Sequence, residues 1–152
     1  MGSKHARHVG ALDTTIAILE TIRSEEVAGV TDLATALDMS KANVYKHVTT
    51  LCDHGFLVRD GDKYRLGLRF FELGTTAREQ RSVYHEATPS VRDLAEMADE
   101  VATLLVPNGE TGVYLRSVDP SQAGRPGILE GHREPLHETA AGLAVLACYG
   151  DE

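Results

Sequence analysis

Between Met39 and Cys52 the chain carries no acidic side chain. That interval holds Ser40, Lys41, Asn43, Tyr45, Lys46, His47, Thr49 and Thr50. Asn and Lys can bond to base edges in the major groove of DNA, and Thr and Tyr hydroxyls to bases or phosphates. Further on, Lys63 and Arg65 alternate with apolar residues, as cations on one side of a strand would. The chemistry on offer is recognition of a duplex and its phosphates. Polar outer faces are the default on any amphipathic helix, so the type and order of the surrounding elements must decide between groove reading and plain solvation.

Bond-making chemistry finds no comparable pattern. The seven His include no pair at zincin spacing, and the chain has no Gly-x-Ser-x-Gly and no phosphate loop. His132 and His137 stand five apart across Pro135, and His5 and His8 belong to a polar amino-terminal stretch. Glu25-Glu26 and Asp99-Glu100 fall on predicted surfaces. Cys52 and Cys148 are the only cysteines and lack metal-type spacing. No catalytic residue, metal or cofactor is therefore expected.

The acid-free stretch needs a helix to present it. Ser40 can cap a helix running from Lys41 to Cys52, and Val44, Val48 and Leu51 then share its inward face. Thr31 can cap a shorter helix before it, with Leu33, Ala34 and Leu37 at helical intervals. Gly55 marks the stop. Phe56–Arg59 reads as a strand, Asp60-Gly61-Asp62 as its turn, and Lys63–Leu66 as the return, with Tyr64 and Leu66 on one side. Upstream, Leu12, Ile16, Leu19 and Ile22 predict a core-facing helix over Asp13–Arg23. Two short helices, a tight turn and a hairpin make a winged helix-turn-helix, whose second helix enters the major groove. The expected DNA contacts are Thr31, Ser40, Lys41, Asn43, Val44, Tyr45, Lys46, His47, Thr50, Lys63 and Arg65.

From Leu68 another helix begins, polar through Thr75–Ser82 and apolar again at Val83, Tyr84 and Ala87. Apolar ends and a polar middle suit a connector. Thr88-Pro89 is expected to open the next unit, with Pro at the first helical position, and Val91, Leu94, Ala95 and Ala98 on one face. Val101–Val106 and Val113–Val118 predict a hairpin around Pro107-Asn108-Gly109, followed by a short strand over Gly127–Glu130. The run PLHETAAGLAVLA, Pro135 to Ala147, ends in a small-residue helix. This divides the chain into a DNA-binding domain over 1–66, a linker helix over 67–86 and a second domain over 87–152, an α+β protein.

Charge separates the same parts. The chain has 15 Lys and Arg against 23 Asp and Glu, a net charge of −8. Residues 1–66 hold 8 basic and 9 acidic groups, and residues 67–152 hold 7 and 14. The acid-free helix is thus a basic island on an acidic chain, which suits focused recognition and not general polyanion binding. Only 4 of the basic residues are Lys, a composition that suits a high-salt cytoplasm. No apolar run approaches the roughly 20 residues of a membrane span, and the amino terminus lacks a signal-peptide core. A cytoplasmic protein without a disulfide is expected.

Three segments, KANVYKHVTTLCDHGFL, DGDKYRLGLRFFELG and PLHETAAGLAVLA, together resemble the IclR family of prokaryotic transcriptional regulators. The resemblance runs from about Leu12 to the end of the chain. It implies an amino-terminal winged helix joined through a linker helix to a GAF-like effector domain. It also implies a homodimer, or a dimer of dimers, on a palindromic double-stranded operator, with binding modulated by a small organic effector. Apart from the resemblance, the free N–H groups of the helix start after Pro135 offer a dock for a carboxylate effector, through His137, Thr139 and Gly142; the alternative is a helix packed tightly through its Ala and Gly residues. Two departures stand out. The family usually has Lys where this chain has Leu143, and its effector domain continues for about as long again as the part present here, so the chain is expected to be a truncated piece. The alternative is a winged helix that binds another protein and never touches DNA.

Overall fold

The computed structural model describes residues 8–26, 28–121 and 130–149. Its elements in order are α1 (Gly10–Glu25), β1 (Ala28–Gly29), α2 (Val30–Ala36), α3 (Lys41–Asp53), β2 (Leu57–Asp60), β3 (Lys63–Leu66), α4 (Arg69–Glu79), α5 (Ser82–Ala98), β4 (Ala102–Asn108), β5 (Thr111–Val118), β6 (Arg133–Pro135) and α6 (Ala140–Leu146). The chain divides into two compact units, Met1–Leu73 and Gly74–Glu152. The fold is α+β, with a separate antiparallel sheet in each unit.

In the first unit β3 lies between β1 and β2, all antiparallel. Helices α1, α2 and α3 pack with this sheet around Ile18, Ile22, Leu33, Val44, Val48, Leu57 and Tyr64. The inward stripe of α1 differs from the expected one. Ile18 and Ile22 are fully buried, whereas Leu12 and Ile16 are 60% and 57% exposed. Ile16 stands two residues from Ile18, about 200° round the helix, so the two cannot share a face. Leu19, on the flank, packs at the edge of the core.

Local chemistry sets the ends of the helices. Gly29, not Thr31, caps α2, and the Asp32 carboxylate accepts a hydrogen bond from its backbone N–H at 2.9 Å. The acid three residues on thus supplies the return half of a capping box. The Ser40 hydroxyl caps α3 by accepting from the Asn43 backbone N–H. After α3, Gly55 adopts φ 74°, its N–H bonds to the Cys52 carbonyl, and the Phe56 N–H reaches back to Leu51. This is a Schellman stop, which a side chain at Gly55 would strain. Phe56 stays outside the strand and packs on Phe70, ring centroids 5.1 Å apart. The wing turn is shorter than expected, Gly61-Asp62, because Asp60 pairs directly with Lys63.

In the second unit β5 lies between β4 and β6. Its core cluster is Val91, Ala95 and Ala102, with Leu104 and Val118 packed against it. The expected single linker helix is broken: α4 ends at Glu79 and α5 starts at Ser82. Pro89 does not open a helix but lies inside α5. It removes the bond its nitrogen would give to the His85 carbonyl, and beside it the Thr88 hydroxyl donates to the carbonyl of Tyr84. Pro107 and Asn108 belong to β4, and the turn is Gly109-Glu110. Of the strand expected over Gly127–Glu130, residues 127–129 lie outside the described residues, as does His5; Glu130 stands in a turn.

Candidate nucleic-acid interface

Helix α3 presents its two faces as different chemistry. Val44 and Val48 are fully buried and Leu51 nearly so. Val44 therefore belongs to the core and cannot reach a base edge, which corrects its place among the expected contacts. Lys41, Asn43, Tyr45, Lys46, Thr49 and Thr50 are exposed, Tyr45 at 55%. Thr31 and Ser40 are also exposed. Ser40 has a second duty, since its hydroxyl holds the start of α3.

On the wing, the two-residue period of β3 buries Tyr64 and turns Lys63 and Arg65 outward. Among the described residues no carboxylate pairs with Lys41, Lys46, Lys63 or Arg65, so their charge is open to an anion. Arg59 bonds through Nε to the Gly61 carbonyl at 2.8 Å and stiffens the wing tip.

His47 differs from its neighbours. It is half-buried, and its Nδ1 lies 2.8 Å from the Thr15 hydroxyl of α1. Thr15, Asn43, Lys46, His47, Thr50 and Leu51 line a groove of about 210 Å3. Sequence reasoning missed Thr15 altogether. It lies 32 residues from His47, and only packing of α1 on α3 brings the two together.

The expected effector residues fall as follows. Thr139 caps α6, its hydroxyl accepting from the Gly142 N–H at 3.0 Å. That bond uses an N–H that a docking carboxylate would need. Gly142 is buried, and a Cβ there would meet the Leu136 carbonyl oxygen at 2.0 Å. Its smallness thus serves close packing. His137 is exposed beside Glu138. Three residues nearby went unanticipated. The buried Tyr114 hydroxyl donates to Glu134 at 2.9 Å, and His132 lies 3.3 Å from the other Glu134 oxygen. Burial raises the Tyr114 pKa above its usual value, the Glu134 carboxylate raises it further, and a contact with the Thr139 hydroxyl pulls it back. No periodicity marks that set, because Tyr114 comes from β5, Glu134 from β6, and His132 stands just before β6.

The second unit also contains a clasp. Glu130 accepts from Arg78 at 2.7 Å, from Arg116 at 3.1 Å and from the Ser117 N–H at 3.2 Å. Arg78 stacks over the Tyr84 ring at 4.6 Å. Among the described residues no group of three or more His, Cys, Asp or Glu is placed to hold a metal ion.

A capped helix with an acid-free outer face, a tight turn before it and a cationic hairpin after it define a helix-turn-helix protein of the winged class. Residues 11–61 match the IclR helix-turn-helix domain, and residues 75–152 match the bacterial transcriptional regulator IclR C-terminal domain. The chain belongs to the IclR family of bacterial transcriptional regulators. It is 30% identical over 146 residues to the regulator KdgR of Dickeya chrysanthemi, covering 95% of this chain and 48% of that one. KdgR of Escherichia coli K12 is likewise 30% identical over 146 residues, with 56% of its length covered. The chain thus spans about half the length of these curated relatives. The crystal structure of the Thermotoga maritima IclR superposes with a TM-score of 0.71 at 26% identity, over 92% of this chain and 57% of that one. A putative regulator from Rhodococcus superposes at 0.76 and 25% identity, over 95% and 58%. No helix of the described residues is long and apolar enough to cross a membrane.

Proposed function

We propose that this chain binds a double-stranded operator through α3 and its wing, and that a small organic effector bound in the second unit modulates that binding. One observation carries the reading. The outward face of α3 has amide, hydroxyl and ammonium groups, no carboxylate, and a cationic strand beside it. On this reading Asn43 and Tyr45 read bases, while Ser40, Lys46, Thr50, Lys63 and Arg65 meet phosphates, with Thr31 and Lys41 at the edge. The domain division 1–66, 67–86 and 87–152 gives the effector unit a GAF-like role. The effector is proposed only as a small organic molecule: the Gly142 N–H is taken by Thr139 and Glu134 holds Tyr114 and His132, so a carboxylate finds no free donor among these groups, and His137 stays exposed at the rim. No residue is assigned a catalytic role, and a cytoplasmic location follows from the DNA target.

A homodimer fits the exposed stripe of Leu12 and Ile16 on α1 with Val9 just before it, which leaves apolar area for a second copy. Two copies would meet half-sites one helical turn, ~34 Å, or a multiple apart, and the effector would act by shifting the population of the competent spacing. Selection of bound sequences from random duplexes tests the reading: a recovered palindrome supports it, and failure to enrich any sequence overturns it. The same stripe would serve a protein-binding winged helix. In that case Lys46→Glu would leave partner capture intact, whereas DNA binding should be lost.

A further inference from the structure

The contact between Thr15 and His47 determines more than the position of a side chain. Thr15 Oγ1 lies 2.8 Å from the Ala11 carbonyl oxygen and 2.8 Å from His47 Nδ1. A carbonyl has no proton, so the hydroxyl's only hydrogen must bridge to Ala11. Were it turned to the imidazole, two oxygens would face each other at that distance with nothing between them. The Thr15 oxygen is thus left as an acceptor, and His47 must donate to it through Nδ1–H. In the neutral ring the other nitrogen, Nε2, then has a bare lone pair. Among the described residues Nε2 has no partner, and the ring lines the groove shared with Asn43, Lys46 and Thr50.

We propose that Thr15 is a positioning residue that locks His47 in the Nδ1–H tautomer and makes it a reader of exocyclic amino groups in the major groove. The inference rests on the placement of α3 in that groove proposed above. Cytosine N4 and adenine N6 offer hydrogen-bond donors there, whereas guanine O6 and N7 and thymine O4 offer acceptors. A bare Nε2 accepts from the first pair and is repelled by the second. Thr15 acts on base choice through His47, from a helix other than the one that enters the groove.

The test is selection from random duplexes. The full chain is compared with Thr15→Val, Thr15→Ser, His47→Ala and the Thr15→Val/His47→Ala pair. Wild type and Thr15→Ser should prefer an amino-bearing base at the same operator position. Thr15→Val should weaken that preference by about fivefold, the worth of one ordinary hydrogen bond, with unchanged affinity for scrambled duplex and an unchanged melting midpoint. His47→Ala should lose the same preference, and the pair should lose no more than His47→Ala alone. A Thr15→Val profile identical to wild type, losses that add in the pair, or an equal loss on every sequence would overturn the role of Thr15. If wild type prefers no sequence at all, the interface assignment fails first and this role goes with it. Should Thr15→Val not fold, Thr15→Ser and His47→Ala still decide, because a guanine or thymine preference at that position contradicts the lone pair.

Discussion

The two units solve the same packing problem to different degrees. The first buries a continuous cluster drawn from α1, α2, α3 and all three strands, including Ile18, Ile22, Leu33, Val44, Val48 and Leu57. The second gathers Val91, Ala95 and Ala102 in its core cluster and leaves Leu94, Met97, Leu143, Leu146 and Tyr149 exposed. Tyr114 and Leu136 are buried outside that cluster, and polar pairs add to them: Glu130 between two arginines, Tyr114 on Glu134, Thr139 on Gly142. Burial of apolar area is the larger stabilising term. Partly exposed ion pairs contribute little. The first unit is therefore expected to hold α3 the more firmly, and the second to be the softer of the two.

Core substitutions should show the largest contrast. Leu33→Ala, at a fully buried position, should cost roughly 2–5 kcal/mol in denaturant unfolding followed in the first unit. If Val91→Ala costs the second unit as much, the contrast between the cores is wrong. Two glycines sharpen the point. A Cβ at Gly67 would stand 2.2 Å from the Gly55 carbonyl oxygen, and one at Gly142 2.0 Å from that of Leu136. Gly67→Ala and Gly142→Ala should each destabilise by at least about 1–3 kcal/mol. Hydrogen exchange would locate the damage, which should stay within the unit carrying the change.

On the DNA side, Lys63→Ala should weaken binding to all sequences alike and lower the salt slope by about 1, while Asn43→Ala should cost about 1–3 kcal/mol of discrimination between operators. Mobility shifts over salt and sequence check both, and equal losses on all sequences for both variants would contradict the division of labour.

Alkali offers a smaller probe of each unit. Burial raises the Cys52 thiol in the first unit, with Asp53 adding to it and Arg59 opposing. Burial and Glu134 raise the Tyr114 hydroxyl in the second. Each folded state thus holds its proton more tightly than the unfolded chain. That stability is complete below the ordinary pKa and is lost as pH rises through the raised one. The first unit should begin to weaken above about pH 9, the second above about pH 10. Tyr114→Phe should flatten the second transition; an unchanged alkaline profile would show that Tyr114 does not drive it. Smallest of all, Glu130→Gln should cost less than about 1 kcal/mol.

Much of the first unit was legible because its signals are local. Ser40 capping, the Val44, Val48 and Leu51 stripe, Gly55 as a stop and the alternation of Lys63, Tyr64 and Arg65 each need only a few neighbouring residues. The misreadings occurred where neighbours were not enough. Leu12 and Ile16 are as apolar as Ile18 and Ile22, and only the packing partner selects the stripe that is buried. Val44 is the exception: the helical period alone already turns it inward with Val48 and Leu51, so its place among the expected contacts contradicts a signal the sequence carries. Thr31 competed for a cap with Gly29, and the Asp32 carboxylate decided it. Pro89 reads as a helix start by propensity, yet α5 continues through it.

The order of side chains along α3 and β3 alone determined which chemistry faces outward, since helical and strand periods are properties of the backbone. Which nitrogen of His47 is bare, why Gly142 must be small and how Tyr114 meets Glu134 were decided by tertiary contacts. Such contacts join residues distant in sequence, and no local period encodes them.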